Sequence, residues 1–477
     1  MIQAIWTQVS EGRKSCISAI KTWLHYLSQI FLIDRAVVFG ILTRIWSLCS
    51  GPVTIILIAS CFRPEVQGYY YTFASLLALQ VFVELGLSQV IIQFASHEWS
   101  RLNLNEKGQI VGSAEALSRL VSLGQVTLRW YTVAGAIVSI GLGLGGYVFF
   151  LRSPDTNVSW AGPWILLCAL TGIRLFLLPV FSLLEGCNQV AAVYGFRLVE
   201  AVLRSVIIWI SISIGTNLWA ASISGAAGLL CAGVFLQRRY WQFLKTLFLC
   251  YSTGPRINWR TEILPVQWRI ALSWLSGYLA FNLFTPILFH YHGAVIAGRM
   301  GMTWNLVTVQ LSIASIFVLP KAPYFGMLIA QRRYVELDTL FWHLTKIVMV
   351  PSCLGAFAIW VFVYILYAHN LPLAGRVLSP LPTGLFLLAT VIISLSFPMS
   401  TYLRAHKKEP LVFLSVVMGI SVALSTFILG RFYSATGMAI GYLSINVLTL
   451  PFVMLIWRRC RDAWHYGHNE KKNISDF

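Results

Sequence analysis

The chain has 477 residues, 57% of them hydrophobic and 11% charged, and its 35 Lys and Arg against 17 Asp and Glu give a formal charge of +18. This is the composition of an all-α polytopic membrane protein. The positive charge does not point to nucleic acid, because the basic residues fall in short clusters between apolar runs, where the positive-inside rule puts them.

Residues 1–35 mix Glu11, Arg13, Lys14, Lys21 and Asp34 with apolar residues and lack a short apolar core ending in A-x-A, so no cleavable signal is expected. Within them Ile17, Ile20, Leu24, Leu27 and Phe31 recur at helical spacing, which predicts an amphipathic helix on the cytoplasmic leaflet. The first apolar segment, 36–62, carries Arg44, and the second, 67–95, carries Glu84. The mixed stretch 107–128 predicts a second interfacial helix. Segments 129–151, 161–185 (with Arg174), 190–214 (with Arg197, Glu200 and Arg204) and 217–237 follow. A hydrophilic interruption at 238–265 separates these from 266–289 (with Arg269), 303–330 (with Lys321), 344–368, 380–403, 410–430 and 434–457. Runs of this length without two-residue alternation predict helices, about 12 in all, rather than the strands of a membrane barrel.

Loop charge tests that count. With the N-terminus in the cytoplasm, cytoplasmic stretches hold 24 Lys and Arg, and the opposite side only Arg63, Arg152, Arg299, Arg376 and Arg431. One helix too many or too few would scramble the alternation, so both termini are expected in the cytoplasm. The expected organisation is an N-terminal six-helix lobe at 1–237, a cytoplasmic linker at 238–265 and a second six-helix lobe with a tail at 266–477, entering from the same side as parallel repeats do.

A charge at the centre of a membrane helix costs about 3 kcal/mol or more unless it is paired or faces water, which makes it a functional candidate. Here Arg44, Arg174, Arg197, Arg204, Arg269 and Lys321 outnumber Glu84, Glu185 and Glu200. A net-cationic interior suggests a net-anionic passenger. Arg197, Glu200 and Arg204 share one helix face, and Glu200 can pair with either arginine. That face either lines a cavity or locks the helix to a neighbour. Arg269 lies near a segment end, where it can snorkel. Glu84 is either a protonatable coupling group or the partner of Arg44, and Glu185 is expected at the membrane edge, solvated. The candidate substrate-binding cations are therefore Arg44, Arg174, Arg197, Arg204 and Lys321, and the candidate ion-coupling carboxylates are Glu84 and Glu200.

Pro320 and Pro323 flank Lys321, so a kink and a charge should coincide there. Gly141, Gly145, Gly146, Gly225, Gly228 and Gly233 fit close helix packing. The sequence has no Walker A, G-x-S-x-G, H-E-x-x-H or D-x-D motif, and neither catalysis nor a cofactor is expected. Glu336 and Asp338 beside Arg332 and Arg333 read as a surface salt-bridge patch. His290 and His292 read as aromatic-belt residues, and the nine Cys show no metal-ligand spacing.

The stretch GYYYTFASLLALQVFVELGLSQVIIQFAS, from Gly68 to Ser96, resembles the second-helix signature of polysaccharide-exporting flippases of the multidrug/oligosaccharidyl-lipid/polysaccharide (MOP) superfamily. SLLEGCNQVAAVYGFRLVEAVLRSVIIWISI, from Ser182 to Ile212, is similar to that family's passage from fourth to fifth helix. STYLRAHKKEPLVFLSVV, with ATGMAIGYLSINVLTLPFVMLIW after it, resembles its closing three helices. The resemblance implies two six-helix lobes around a central cavity, moving a lipid-linked oligosaccharide across the bacterial inner membrane by alternating access. It also implies membrane lipids and polysaccharide-assembly proteins as partners. Arginine suits a pyrophosphate at the lipid–sugar junction, because its planar guanidinium binds two oxygens at once. Without an ATPase module, the expected energy source is an ion gradient, the membrane potential or consumption of the product. The competing expectations are a multidrug exporter of the same superfamily, whose cavity should be acidic, and a membrane-embedded glycan polymerase or transferase.

Overall fold

A computed structural model describes residues 35–105, 108–152, 158–249, 254–406 and 408–465. The predicted amphipathic helix within 14–31 and the side chain of Arg269 lie outside what it describes. The first half contains α1 (Arg35–Cys61), α2 (Pro64–Leu77), α3 (Leu87–Trp99), α4 (Ala114–Leu151), α5 (Ala161–Gly186), α6 (Val190–Ile214) and α7 (Trp219–Leu249). The second contains α8 (Leu264–Phe281), α9 (Phe284–His292), α10 (Ala294–Val318), α11 (Ala322–Ala330), α12 (Tyr334–Ala368), α13 (Pro380–Ala405) and α14 (Val412–His465).

Among the described residues eight helices are each long and apolar enough to cross a membrane, and the pair Pro64–Glu84 and Leu87–Trp99, bent by 46°, passes the same test of length and composition when taken as one broken span. The remaining predicted segments are also helical. The α6 helix stands apart because three charges interrupt its middle. The α8 and α9 helices form one segment broken at residues 282–283. The α14 helix reverses at Ser434, where φ is 54°, so its two arms run antiparallel. A Cβ on Gly437 would meet the Leu429 carbonyl at 2.6 Å, and one on Gly441 would meet Ser425 Oγ at 1.8 Å. Lipid offers the backbone no hydrogen-bond partner, and a helix satisfies its own. The chain is an all-α polytopic membrane protein.

Several boundaries differ from expectation. Among the described residues, 108–128 form no separate interfacial helix. Leu102–Leu104 pairs antiparallel with Ile110–Gly112, and α4 then starts at Ala114 and runs unbroken into the predicted third span. Periodicity could not separate a leaflet-bound helix from the cytoplasmic extension of a spanning one. Likewise α7 continues past 237 to Leu249, with a non-helical Tyr240 (φ −125°) marking where it bends. The break expected at Lys321 is present: α10 ends at Val318, Leu319–Lys321 forms a 3-10 turn, and α11 follows.

Apolar burial does not drive helix association in lipid, so shape decides which helices meet. The two halves meet most intimately where α2 crosses α10. A Cβ on Gly68 would stand 1.9 Å from the Ala294 carbonyl oxygen, and one on Gly298 would stand 2.9 Å from Gly68 N. Gln67 Nε2 donates to the carbonyls of Gly298 (2.9 Å) and Arg376 (3.0 Å), and Arg376 Nη2 donates to the Phe62 carbonyl at 2.6 Å. Aromatic rings extend the seam: Tyr69 of α2 meets Phe289 of α9 edge-on at 4.9 Å, and Phe150 of α4 meets it at 5.3 Å. All of this lies at the cation-poor end of the bundle, with Arg63, Arg299 and Arg376.

Candidate functional site

The α6 helix positions the largest group of intramembrane charges. Residues three and seven apart stand above one another on a helix of 3.6 residues per turn, so Arg197, Glu200 and Arg204 share a face toward α5 and α7. Three residues separate its start at Val190 from the end of α5 at Gly186, and it closes on Gly215, whose φ of 85° suits a residue without a side chain.

Glu200 sits between two arginines. Its Oε1 lies 3.4 Å from Arg174 Nη2 of α5 and 3.9 Å from Arg204 Nη1. Arg197 turns the other way and donates to Glu185 Oε1 at the end of α5, with its guanidinium 5.2 Å from the centre of the Tyr194 ring. Both carboxylates are shielded, at 9% exposure for Glu185 and 14% for Glu200, whereas the side chains of Arg174, Arg197 and Arg204 stay 38–51% exposed. Arg204 Nε is buried and donates to nothing among the described residues. A buried donor left without an acceptor costs about 1–3 kcal/mol, which a ligand or a water would recover.

These groups line a cavity of about 340 Å3 between α5, α6 and α7, whose lining includes Arg174, Arg197, Glu200 and Arg204. One wall is aromatic: Phe181 stacks on Phe196 at 5.1 Å, and Phe196 on Phe235 at 4.6 Å. The space depends on Gly228 of α7, where a Cβ would meet Arg204 Cδ at 2.8 Å and Glu200 Oε1 at 3.1 Å. Two guanidinium forks around the Glu200 carboxylate, with a third arginine at the rim paired to Glu185, offer more donors than these two carboxylates accept. The arrangement can hold an anion with several acceptor oxygens.

The structure thus gathers Arg174, Arg197, Glu200 and Arg204 and leaves the other predicted residues apart. Arg44 is exposed on α1, and Lys321 is exposed at the 3-10 turn after α10; neither lines this cavity. Glu84 is buried where the second span breaks, at left-handed Leu85 (φ 50°) and Gly86 (φ 67°). It accepts from Ser88 Oγ at 2.8 Å and forms no ion pair with Arg44. Glu185, expected in water, is shielded and paired, and so Arg197 is not the partner of Glu200. Sequence spacing also missed the role of Gly228. It reads as a helix-packing glycine, but its neighbours are the Glu200 and Arg204 side chains. The only signal for Glu185 was the short α5–α6 turn, which folds the two helices back on each other.

No family model matches the chain, and no curated protein matches it. Solved structures do. An inward-facing multidrug-resistance MATE transporter of the MOP superfamily superposes with a TM-score of 0.61 at 15% identity, covering 90% of this chain and 99% of that one. An outward-facing MATE transporter of the superfamily gives 0.50 at 13% identity, over 91% and 98%. The lipid II flippase MurJ, in an inward closed conformation, gives 0.56 at 12% identity, over 88% and 87%. At such identities what is shared is the fold, over nearly the whole chain. The chain has the MOP-superfamily transporter fold.

Proposed function

We propose that this protein is a flippase that moves a polyprenyl-pyrophosphate-linked oligosaccharide across the bacterial inner membrane by alternating access, with both termini in the cytoplasm. The observation that carries the reading is the charge of the cavity between α5, α6 and α7: three arginines and one glutamate line it. A cationic drug would meet repulsion there, and a pyrophosphate would meet paired donors of the right geometry. Arg174 and Arg204 hold the headgroup, Glu200 keeps their guanidiniums apart while the site is empty, and the unpaired Arg204 Nε supplies a further donor. Arg44 and Lys321 are then contacts made elsewhere on the translocation path. Glu84, shielded at the break of the second span, is the better-placed coupling carboxylate, because Glu200 is already engaged by two arginines. The closed α2–α10 seam, together with the higher score of the inward-facing relative, supports a state open toward the cation-rich end, where the lipid-linked sugar would enter.

The test is translocation of a polyprenyl-pyrophosphate oligosaccharide in proteoliposomes. Arg174→Gln and Arg204→Gln should each lower the rate by roughly tenfold or more, the worth of a lost charge-assisted hydrogen bond, with an unchanged melting temperature. Lys at either position should rescue in part, because one of the two contacts to phosphate is lost. Full translocation by both Gln variants would overturn the proposal. Efflux of a cationic dye by the wild type, without glycan transport, would favour the multidrug reading, and turnover of the oligosaccharide would favour the polymerase or transferase reading.

A further inference from the structure

A second cavity, of about 260 Å3, lies in the other half of the molecule, away from the arginine cluster. One face of α13, from Ile393 through Phe397 to Arg404, forms one wall, and both arms of α14 close the rest with Leu414, Met418 and Val453. The wall contains hydroxyls, but each is satisfied within its own helix: Ser400 donates to the Phe397 carbonyl (2.8 Å), Ser415 to Val412 (2.8 Å) and Thr449 to Asn446 (3.2 Å). Toward a ligand the interior therefore behaves as hydrocarbon. The charges are at one end, where Arg404, Lys408 and Glu409 stand at the α13–α14 turn.

That end is built loosely. Arg404 Nε and Glu409 Oε1 are 4.0 Å apart with both side chains more than half exposed, a contact of little worth in water. Lys408 Nζ rests 5.1 Å from the centre of the Trp464 ring. Both cations are free to turn to an anion, and the charge pattern of the loops puts this turn at the cytoplasmic surface, where anionic lipid accumulates. An apolar slot with a cationic mouth at that level is complementary to an amphiphile with one negative head. The volume is slightly below the roughly 300–1,000 Å3 of pockets for drug-sized ligands, which suits a stretch of one acyl chain.

We propose that the groove between α13 and α14 binds an anionic phospholipid of the inner leaflet, its phosphate on Arg404 and Lys408 and one acyl chain along Phe397, Leu414 and Met418. The proposal is independent of the substrate assigned to the arginine cavity.

The experiment uses the full chain in a neutral detergent and follows phosphatidylglycerol and phosphatidylcholine of identical chains by native mass spectrometry and melting temperature. Phosphatidylglycerol should be retained and should raise the melting temperature; phosphatidylcholine should do neither. The Arg404→Gln/Lys408→Gln variant should retain roughly tenfold less phosphatidylglycerol. Glu409→Gln, which removes the competing carboxylate, should retain more. Met418→Trp, which fills the slot, should retain less, and Glu409→Gln keeps the test decisive if that variant fails to fold. Equal retention of the two lipids, or full retention by the double variant, would overturn the proposal. So would competition by glycerol phosphate at the same concentration as phosphatidylglycerol, since that marks a bare anion site. Displacement by much less polyprenyl phosphate would assign the groove to the carrier lipid and also overturn it.

Discussion

Two places where helices come close, the α2–α10 seam and the α5–α6–α7 cluster, use glycine in opposite ways. At the seam Gly68 and Gly298 bring backbone against backbone, with the Ala294 carbonyl where a Cβ would be. In the cluster Gly228 makes room for charged side chains and a cavity remains. The seam has one arrangement and little tolerance. The cluster has slack, with half-exposed guanidiniums that can exchange a glutamate for another anion. The transport proposed above would use both, a joint that is either closed or open and a site that adapts to its passenger.

The largest expected effect is at the joint. Gly68→Ala forces its new methyl into a backbone carbonyl that cannot swing aside, and overpacking of this kind costs about 1–3 kcal/mol or more. The expected outcome is a melting temperature lower by several degrees, together with greater thiol-reagent labelling of a cysteine placed at Arg376. Gly141→Ala and Gly145→Ala are the controls, since nothing lies within 4 Å of either added Cβ and alanine is the better helix former. They should be neutral or slightly stabilising. If Gly68→Ala were as silent as Gly141→Ala, the seam would not be the rigid member of the comparison.

At the cluster the structure dictates which double substitutions compensate. Glu185→Gln leaves Arg197 without its partner, and Glu200→Gln leaves Arg174 facing Arg204. Each should cost about 1–3 kcal/mol, below the full value for a buried pair because the guanidiniums reach solvent. Abundance and melting temperature should recover in Glu185→Gln/Arg197→Gln and in Glu200→Gln/Arg204→Gln, but not in Glu200→Gln/Arg197→Gln. Export separates structure from transport: the Glu200→Gln/Arg204→Gln protein should stay inactive at normal abundance. Its recovery would remove Arg204 from the proposed substrate-binding residues.

How far this was legible in the sequence follows from what each feature depends on. Length and hydropathy of the spans are local properties, so the helices and the break at Lys321 could be read directly. The shared face of Arg197, Glu200 and Arg204 follows from the helical period alone. Pairing across helices does not: Glu185 with Arg197 and Glu200 with Arg174 depend on how α5 and α6 pack after their turn. The glycines show the same limit. Gly146 packs under Trp164, Gly228 under a charged pair and Gly141 against nothing, although all look alike along the chain. Asp338 was read with Glu336 as a surface patch. Arg333 does pair with Glu336 (2.6 Å), but Asp338 accepts from Tyr402 Oη at 2.7 Å, a contact 64 residues apart in sequence.

That last contact belongs to a polar knot at the cation-rich end of the second half, and it gives the smallest effect. His406, just past the end of α13, approaches His465 with Nε2 to Nε2 at 3.1 Å, and its Nδ1 lies 3.0 Å from the Tyr402 carbonyl. His465, beyond the last predicted span at 457, stacks on Tyr334 at 4.0 Å and is 6% exposed. Burial pushes both imidazoles below the usual histidine range, His465 to about 4, with the neighbouring His406 adding to the shift. Because the folded values lie below the unfolded value of about 6.5, the unfolded chain takes up protons first as the pH falls. The contribution of the pair to stability is therefore complete above about pH 6.5 and is lost as the pH falls toward 4. Between pH 7.5 and about 4.5 the melting temperature should drop by a few degrees, and His465→Gln, which cannot take up a proton, should flatten that dependence. The seam contacts at Gln67 and Arg376 contain no group that titrates in this window, so labelling at the seam should not follow the same pH curve. If it did, the two ends of the molecule would be coupled, and the joint would be less independent than its backbone packing indicates.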